Sequence, residues 1–382
     1  MMTPVASAFA RARQVLLLAA LCAPLPSAAC HGDGGLGPGD GGLALAWASA
    51  PTTAGGDWVN GTPTVDAGRV FVQEGNRLVG LDASTGARLW SRQIRIATSP
   101  PPTTLRASGG RVFVSETDSI MAVDGASGAT VWSVHPDSQA VTEPALDDAT
   151  FFTGQRGIPI VYALSRTDGA LRWKVNVGAG YTFRAHVRGV AVSGDTVYAS
   201  IERYLDVNGA SASGVLVALS KTDGHELWRY ETSGAKDFFL NAPVPTGRLV
   251  LVNDYYTGDV AAVDVTTHQE VWRTAAGGTV DVVVVGPRVF TAGADTKARA
   301  LDLVTGALQW TGPTGSSAFG IGACGGNLYV TAFALRRFDG TSGALTGEAQ
   351  LGSMNGGFVT HVASDGAKVY VAGTSGVAAY MC

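Results

Sequence analysis

Residues 82–90 read Asp82-Ala83-Ser84-Thr85-Gly86-Ala87-Arg88-Leu89-Trp90, and residues 302–310 read Asp302-Leu303-Val304-Thr305-Gly306-Ala307-Leu308-Gln309-Trp310. In both, an aspartate is followed by a glycine four residues on and a tryptophan eight residues on. The tryptophan recurs as Trp47, Trp90, Trp132, Trp173, Trp228, Trp272 and Trp310, at separations of 43, 42, 41, 55, 44 and 38 residues. A period near forty marks stacked copies of one supersecondary unit that cannot bury its apolar face alone.

The residues before each tryptophan carry turn chemistry. Asp82, Asp124, Ser165, Ser220, Asp264, Asp302 and Asp339 place a short oxygen side chain eight residues before the slot. Such side chains accept hydrogen bonds from N–H groups two positions on, and the glycine that follows supplies a left-handed residue before the chain returns. Two copies depart from the pattern. His268 replaces the glycine in one, and Gly347 replaces the tryptophan in the last full copy, which predicts the least tightly docked unit there.

Between these turns lie segments of alternating aromatic and β-branched residues, first Thr62–Val65 with Arg69–Val72, then around Val112, Phe151, Val197, Leu249, Val289, Leu328 and Val369. Eight hairpins, each followed by a short apolar strand, the turn and the tryptophan strand, give four antiparallel strands per forty residues, which is a propeller blade. The eighth hairpin is followed only by Gly376–Tyr380, so its fourth strand must come from the other end, as Leu43–Trp47. The sequence therefore predicts an all-β, eight-bladed propeller over residues 43–382, with the N-terminal strand closing the last blade and covering two open sheet edges. Fifty-one glycines and 15% charged residues suit a compact, monomeric ring with many tight turns.

Residues 1–29 read differently. Arg11 and Arg13 precede an apolar run from Val15 to Leu25, and Ser27-Ala28-Ala29 lead to Cys30, the layout of an export signal. Small residues before a cysteine match a lipobox, with Cys30 as the acylated first residue, although Ser27 stands where an aliphatic residue is usual; ordinary signal cleavage is the alternative. Residues 30–42, rich in glycine, form a flexible linker. His31 is not the aspartate that signals inner-membrane retention, so attachment to the periplasmic face of the outer membrane is expected, or a soluble periplasmic or secreted form without the lipid. Cys22 leaves with the signal, so Cys324 and Cys382 remain as a pair whose strand ends emerge on one face of the ring. They form either a disulfide or two free thiols.

The unit Asp-x-x-Thr-Gly-x-x-x-Trp, as in Asp82–Trp90 and Asp302–Trp310, resembles the docking motif of the pyrroloquinoline-quinone-type propeller repeats. With eight blades and a lipobox-like cysteine, residues 43–382 are most similar to the BamB family of outer-membrane-assembly lipoproteins. The resemblance implies a non-catalytic, lipid-anchored scaffold whose partner is an envelope protein of the outer-membrane assembly machinery. The same repeat class includes dehydrogenases that bind the quinone beside calcium, commonly with adjacent cysteines. This chain has no Cys-Cys pair, no Cys-x-x-Cys-His motif and no calcium loop. No cofactor and no metal are expected, and a quinone- or small-ligand-binding propeller, as enzyme or sensor, is the alternative.

Other chemistry is not signalled. Asp254 and Asp281 lie in or beside inner strands without a carboxylate partner, and the six histidines lack metal-ligand spacing. Without Arg11 and Arg13, 25 of the 27 basic residues remain against 31 acidic ones, a net charge of −6 with no basic run, which argues against nucleic acid.

Protein binding remains. The 55-residue interval between Trp173 and Trp228 holds an excess at Ile201–Ser213, between the second and third strands of blade four. Such loops share a face with the segments joining consecutive blades. On either side these segments contain Tyr181, Phe183 and Arg184, then Lys236, Phe238 and Phe239, while Arg203 and Tyr204 lie in the excess and Tyr255 and Tyr256 in blade five. Tyrosine, phenylalanine and arginine on one rim have the composition of an interface hot spot; plugging of the ring's own funnel is the alternative.

Overall fold

The computed structural model describes residues 42–50, 59–95, 105–115, 119–135, 142, 144–155, 157–232, 241–254, 257–351, 362–373 and 376–382. Among these, thirty-two strands form eight antiparallel sheets of four. Seven sheets are meanders in chain order. In blade one, for example, Val59–Asp66, Arg69–Glu74, Arg77–Asp82 and Arg88–Gln93 pair in sequence. The eighth sheet takes Ala363–Ser364, Lys368–Gly373 and Gly376–Met381 from the C-terminal end and Leu45–Ser49 from the other, with Trp47 opposite Ala379. The molecule is thus a propeller closed by its N-terminal strand.

The motif's chemistry is visible in the turn between third and fourth strands. Asp82 Oδ1 accepts from the N–H groups of Ser84 and Thr85, both at 2.9 Å, and the Gly86 N–H returns to the Asp82 carbonyl at 2.8 Å. Bonds from the Ser84 and Thr85 hydroxyls and these N–H groups hold the Asp82 carboxyl down at about 2. Asp124, Asp264, Asp302 and Asp339 repeat the arrangement.

Each tryptophan then docks its blade on the next. Indole Nε1 groups donate to turn carbonyls of the following blade: Trp47 to Ala83, Trp90 to Gly125, Trp132 to Arg166, Trp173 to Lys221, Trp272 to Leu303 and Trp310 to Gly340, at 2.8–3.2 Å. The ring plane lies on the turn glycine, and a Cβ at Gly128 would stand 2.8 Å from Trp90. A small residue always faces the tryptophan on the third strand: Gly80, Ala122, Ala163, Ala218, Ala262, Ala300 or Ala379. A second-strand aromatic, Phe71, Phe113, Phe152, Tyr198, Phe290 or Tyr370, packs at 5.9–6.0 Å from its own blade's tryptophan. The apolar core consequently lies between blades rather than at one centre, as in the cluster that joins Phe152 and Trp173 of blade three to Val187 and Val217 of blade four.

Two expectations need correction, and one further contact ties the turn face. The excess in blade four is mostly strand: Ala185–Ser193, Thr196–Tyr204 and Ala212–Ser220 are nine residues each, paired to Tyr204 opposite Ala212. The ladder runs without interruption from Thr196 opposite Ser220 to Tyr204 opposite Ala212, with the Asp206–Gly209 turn at its tip, so the two strands extend the hairpin beyond the neighbouring blades. On the turn face, the Arg111 guanidinium donates to the carbonyls of Arg166 (2.5 Å) and Thr167 (3.2 Å) of the next blade. Blade seven, lacking a tryptophan at Gly347, carries a covalent tie instead: Cys324 is bonded to Cys382 of blade eight, with Cα atoms 5.7 Å apart.

Candidate functional site

In a meander blade the second-to-third turns and the blade-to-blade linkers emerge on one face, here the linker face, and the other two turns on the opposite, turn face. The raised hairpin of blade four stands on the linker face. Its turn is closed by Asp206, whose carboxylate accepts from the N–H groups of Asn208 (2.9 Å), Ala210 (3.1 Å) and Ser211 (2.7 Å), bonds that hold it below the usual carboxylate range. The linker from blade three is turned against its own blade, since Val177 N–H donates to Pro159 at 2.9 Å and Tyr181 N–H to Gly178 at 3.0 Å.

This brings five of the sequence-selected residues together. The Arg203 guanidinium lies over the Tyr181 ring at 4.6 Å and pairs with Glu231 at 2.6 Å. The Arg184 guanidinium covers Tyr204 at 4.4 Å, and Tyr204 meets His186 edge-on at 5.5 Å. The Arg229 guanidinium donates to the Tyr181 hydroxyl at 2.8 Å and is paired with Glu226, which raises its pKa further. Burial pushes the Tyr181 and Tyr204 hydroxyls up, so both stay protonated at neutral pH. Stacked guanidinium–aromatic pairs contribute about 0.5–2 kcal/mol each, depending on desolvation, and they fix this rim without loop plasticity. Phe183 lies beside them at the surface. Lys236, Phe238, Phe239, Tyr255, Tyr256 and Cys30 fall outside the described residues.

The same rim carries three apolar residues that sequence reading did not select. Ile158 in blade three's second-to-third turn is 51% exposed, and Leu205 and Val207 at the blade-four tip are 37% and 80% exposed, alongside Phe183 at 37%. Their signal was available: each is an aliphatic residue inside a polar turn, where burial does not require one.

The two carboxylates singled out near inner strands are engaged locally. Asp254 Oδ1 accepts from Thr257 N–H at 2.9 Å, and Asp281 Oδ1 from Val282 N–H at 2.8 Å. Glu74, Glu202 and Asp295, near the ends of second strands, are each paired with an arginine of their own blade: Arg88, Arg188 and Arg299. No group of three His, Cys, Asp or Glu side chains suited to a metal ion occurs among the described residues. The rim's chemistry is that of a rigid apolar and aromatic surface, which can bind.

Comparison with known proteins adds the ancestry. The sequence profile of the family described as outer membrane protein assembly factor BamB matches residues 44–107, 99–200 and 159–324. No curated protein matches by sequence. Among solved structures, the chain is similar to BamB from Moraxella catarrhalis, with 14% identity and a TM-score of 0.66 over 86% of this chain and 99% of that one. It is also similar to the quinohemoprotein alcohol dehydrogenase ADHIIG from Pseudomonas putida HK5, with 14% identity and a TM-score of 0.64 over 89% of this chain and 76% of that one. Sqt1 of Saccharomyces cerevisiae gives 12% identity and a TM-score of 0.69 over 89% of this chain and 99% of that one. At such identities the structural likeness speaks for the fold alone.

Proposed function

The chain belongs to the outer membrane protein assembly factor BamB family, and we propose that it is a non-catalytic propeller scaffold of the bacterial envelope that engages a protein partner through the linker face of blades three and four. The observation that carries this reading is the grouping of Ile158, Phe183, Leu205 and Val207, all exposed, around a rim stiffened by the Arg184–Tyr204 and Arg203–Tyr181 stacks. Tyrosine and arginine are what interface hot spots use, exposed apolar side chains grouped beside them mark an interaction surface, and a rim ordered before binding loses little entropy on association.

The topology supports the same orientation. A fourth strand begins on the turn face, so the chain enters the ring at Gly42 and Leu43 on the face opposite the rim, and at blade eight, across the ring from blade four. A lipid on Cys30, followed by a glycine-rich spacer, would hold the ring to the periplasmic side of the outer membrane and leave the rim facing the compartment. The partner belongs, in this reading, to the outer-membrane assembly machinery.

Affinity capture from an envelope extract tests the proposal. The Phe183→Ser/Leu205→Ser/Val207→Ser variant should fold and lose the captured partner, whereas equal capture would contradict it. Titrating the purified protein with pyrroloquinoline quinone and calcium tests the alternative: a saturable absorbance change with dye reduction would favour an enzyme.

A further inference from the structure

Among the described residues, seven of the eight joints between blades are docked by tryptophan, and the joint between blades seven and eight is not. In blade seven the slot holds Gly347, opposite Arg337 on the third strand, and Arg337 folds back onto Thr346, with Nε donating to Oγ1 and Nη2 to the carbonyl, both at 3.1 Å. The receiving turn is missing too. Blade eight is assembled from both ends of the chain, so a break lies between its third strand, which leads to Cys382, and its fourth, which begins at Leu45, where six other blades present a turn carbonyl to an indole and blade five presents the His268 ring.

What crosses this joint is the Cys324–Cys382 bond, from the end of blade seven's first strand to the end of blade eight's third. Around it Leu43, Tyr329, Val369 and Tyr380 pack as one cluster. The incoming backbone is laid along blade seven, with Leu43 N–H donating to the Glu348 carbonyl at 3.4 Å, and Met381 N–H donates to Ala44 at 2.9 Å. The seam where the ring is closed from two chain ends and the joint without a tryptophan are therefore the same place, and the disulfide is there.

We propose that this disulfide is the eighth dock, a redox-gated clasp on ring closure: oxidised, it holds the composite blade against blade seven, and reduced, it loosens this joint while the seven tryptophan joints stay shut. The other joints rest on indole packing and hydrogen bonds, which a thiol reagent leaves untouched. The chemistry is exchange with a dithiol reductant. One thiolate attacks Sγ of Cys382, the more exposed sulfur, and displaces the Cys324 thiolate; the reductant's second thiolate then attacks its own sulfur in the mixed disulfide and displaces the Cys382 thiolate. Two electrons pass to the protein, its two thiolates take up the protons the dithiol gives up, and the reductant leaves as a cyclic disulfide. The closing strand Leu45–Ser49 is then held by its ladder to Gly376–Met381 and by Trp47 on blade one, with no covalent tie behind it.

Hydrogen exchange read by mass spectrometry on the full chain tests this, comparing oxidised protein with protein in excess dithiothreitol, thiol alkylation counting the reduced sulfurs, and with the Cys324→Ser/Cys382→Ser variant. Amides of Leu45–Ser49, Gly376–Met381 and Gly320–Cys324 should exchange about tenfold faster or more without the bond, as expected for a local opening. Those of Ile120–Val134 in blade two should keep their rates. Reduced protein supplies the reading where the variant does not fold, and a bond that alkylation shows intact in excess dithiothreitol would overturn the redox gating. Unchanged rates at the seam, or equal acceleration in every blade, would overturn the clasp.

Discussion

Trp228 stacks face to face on His268, ring centroids 4.9 Å apart and planes 14° from parallel, at the one tryptophan joint whose turn lacks glycine. His268 has φ +60°, a left-handed conformation that a side chain adopts at a cost, and the imidazole meets the indole where the other joints bring the indole onto a glycine. Stacking and strain oppose each other at about 1 kcal/mol each. His268→Gly should therefore shift the unfolding free energy by less than about 1 kcal/mol in urea titrations. Gly128→Ala, with φ +74° and a Cβ driven into Trp90, should destabilise by about 1–3 kcal/mol.

Removing an indole from a joint is a larger change. Trp132→Ala forfeits the contact with Phe113 and Phe151 and the bond to the Arg166 carbonyl, and should cost about 3–5 kcal/mol. Its neighbour Val131 points outward from the same strand, and Val131→Ala should change stability by less than about 0.5 kcal/mol. Equal shifts in the two urea midpoints would remove the docking role.

Acid should weaken the ring through its turns. The ionised carboxylate of Asp82 is favoured by the Ser84 hydroxyl and then by Thr85, and Asp264 is held at about 2 chiefly by the N–H groups of Thr267 and Thr266. Their folded pKa values lie below the unfolded value near 3.9, so the unfolded chain takes up protons first as pH falls. The contribution is complete above about pH 4 and is lost on the way down to about pH 2. Asp82→Ala and Asp302→Ala should flatten the fall of stability in that window and leave its slope above pH 5 unchanged, a result readable in urea titrations at stepped pH.

The turn-and-tryptophan unit was legible because each copy repeats the same local hydrogen bonds, and local chemistry survives in sequence at fixed spacing. The closing strand was legible for the same reason, since Trp47 carries the unit's last residue without its turn. What escaped depends on tertiary contact. The small residues opposite the indoles, such as Gly80 and Ala163, read only as apolar positions, and the contacts of Arg111 are with carbonyls 55 and 56 residues away, which no local pattern marks. The blade-four excess read as loop because Ser200–Tyr204 and Ala212–Val215 flank a Gly- and Ser-rich tip and carry no period-two alternation, while the pairing that makes them strand is a contact between the two segments. Of the candidate rim, the arginines and tyrosines were named from composition, but their pairing into stacks required the fold.

Anchoring has its own test. If Cys30 is acylated, the chain should partition with outer-membrane vesicles and carry the mass of a lipidated N-terminal cysteine, and Cys30→Ser should release it to the soluble fraction with the ring's melting unchanged. Each buried CH₂ of an acyl chain contributes about 0.8 kcal/mol, so loss of the chains should be decisive rather than graded. A Cys30→Ser protein that stays in the membrane fraction would contradict the anchor.

The central claim is that one face of this ring binds a protein. Photo-crosslinking side chains placed singly at Phe183 and Val207 on the blade-three and blade-four rim, and at Val304, which is also exposed but lies in the turn of blade six on the opposite face, compare the two faces in living cells. Discrete adducts with an envelope protein are expected from Phe183 and Val207 and none from Val304. Adducts from Val304 with none from the rim would contradict the claim.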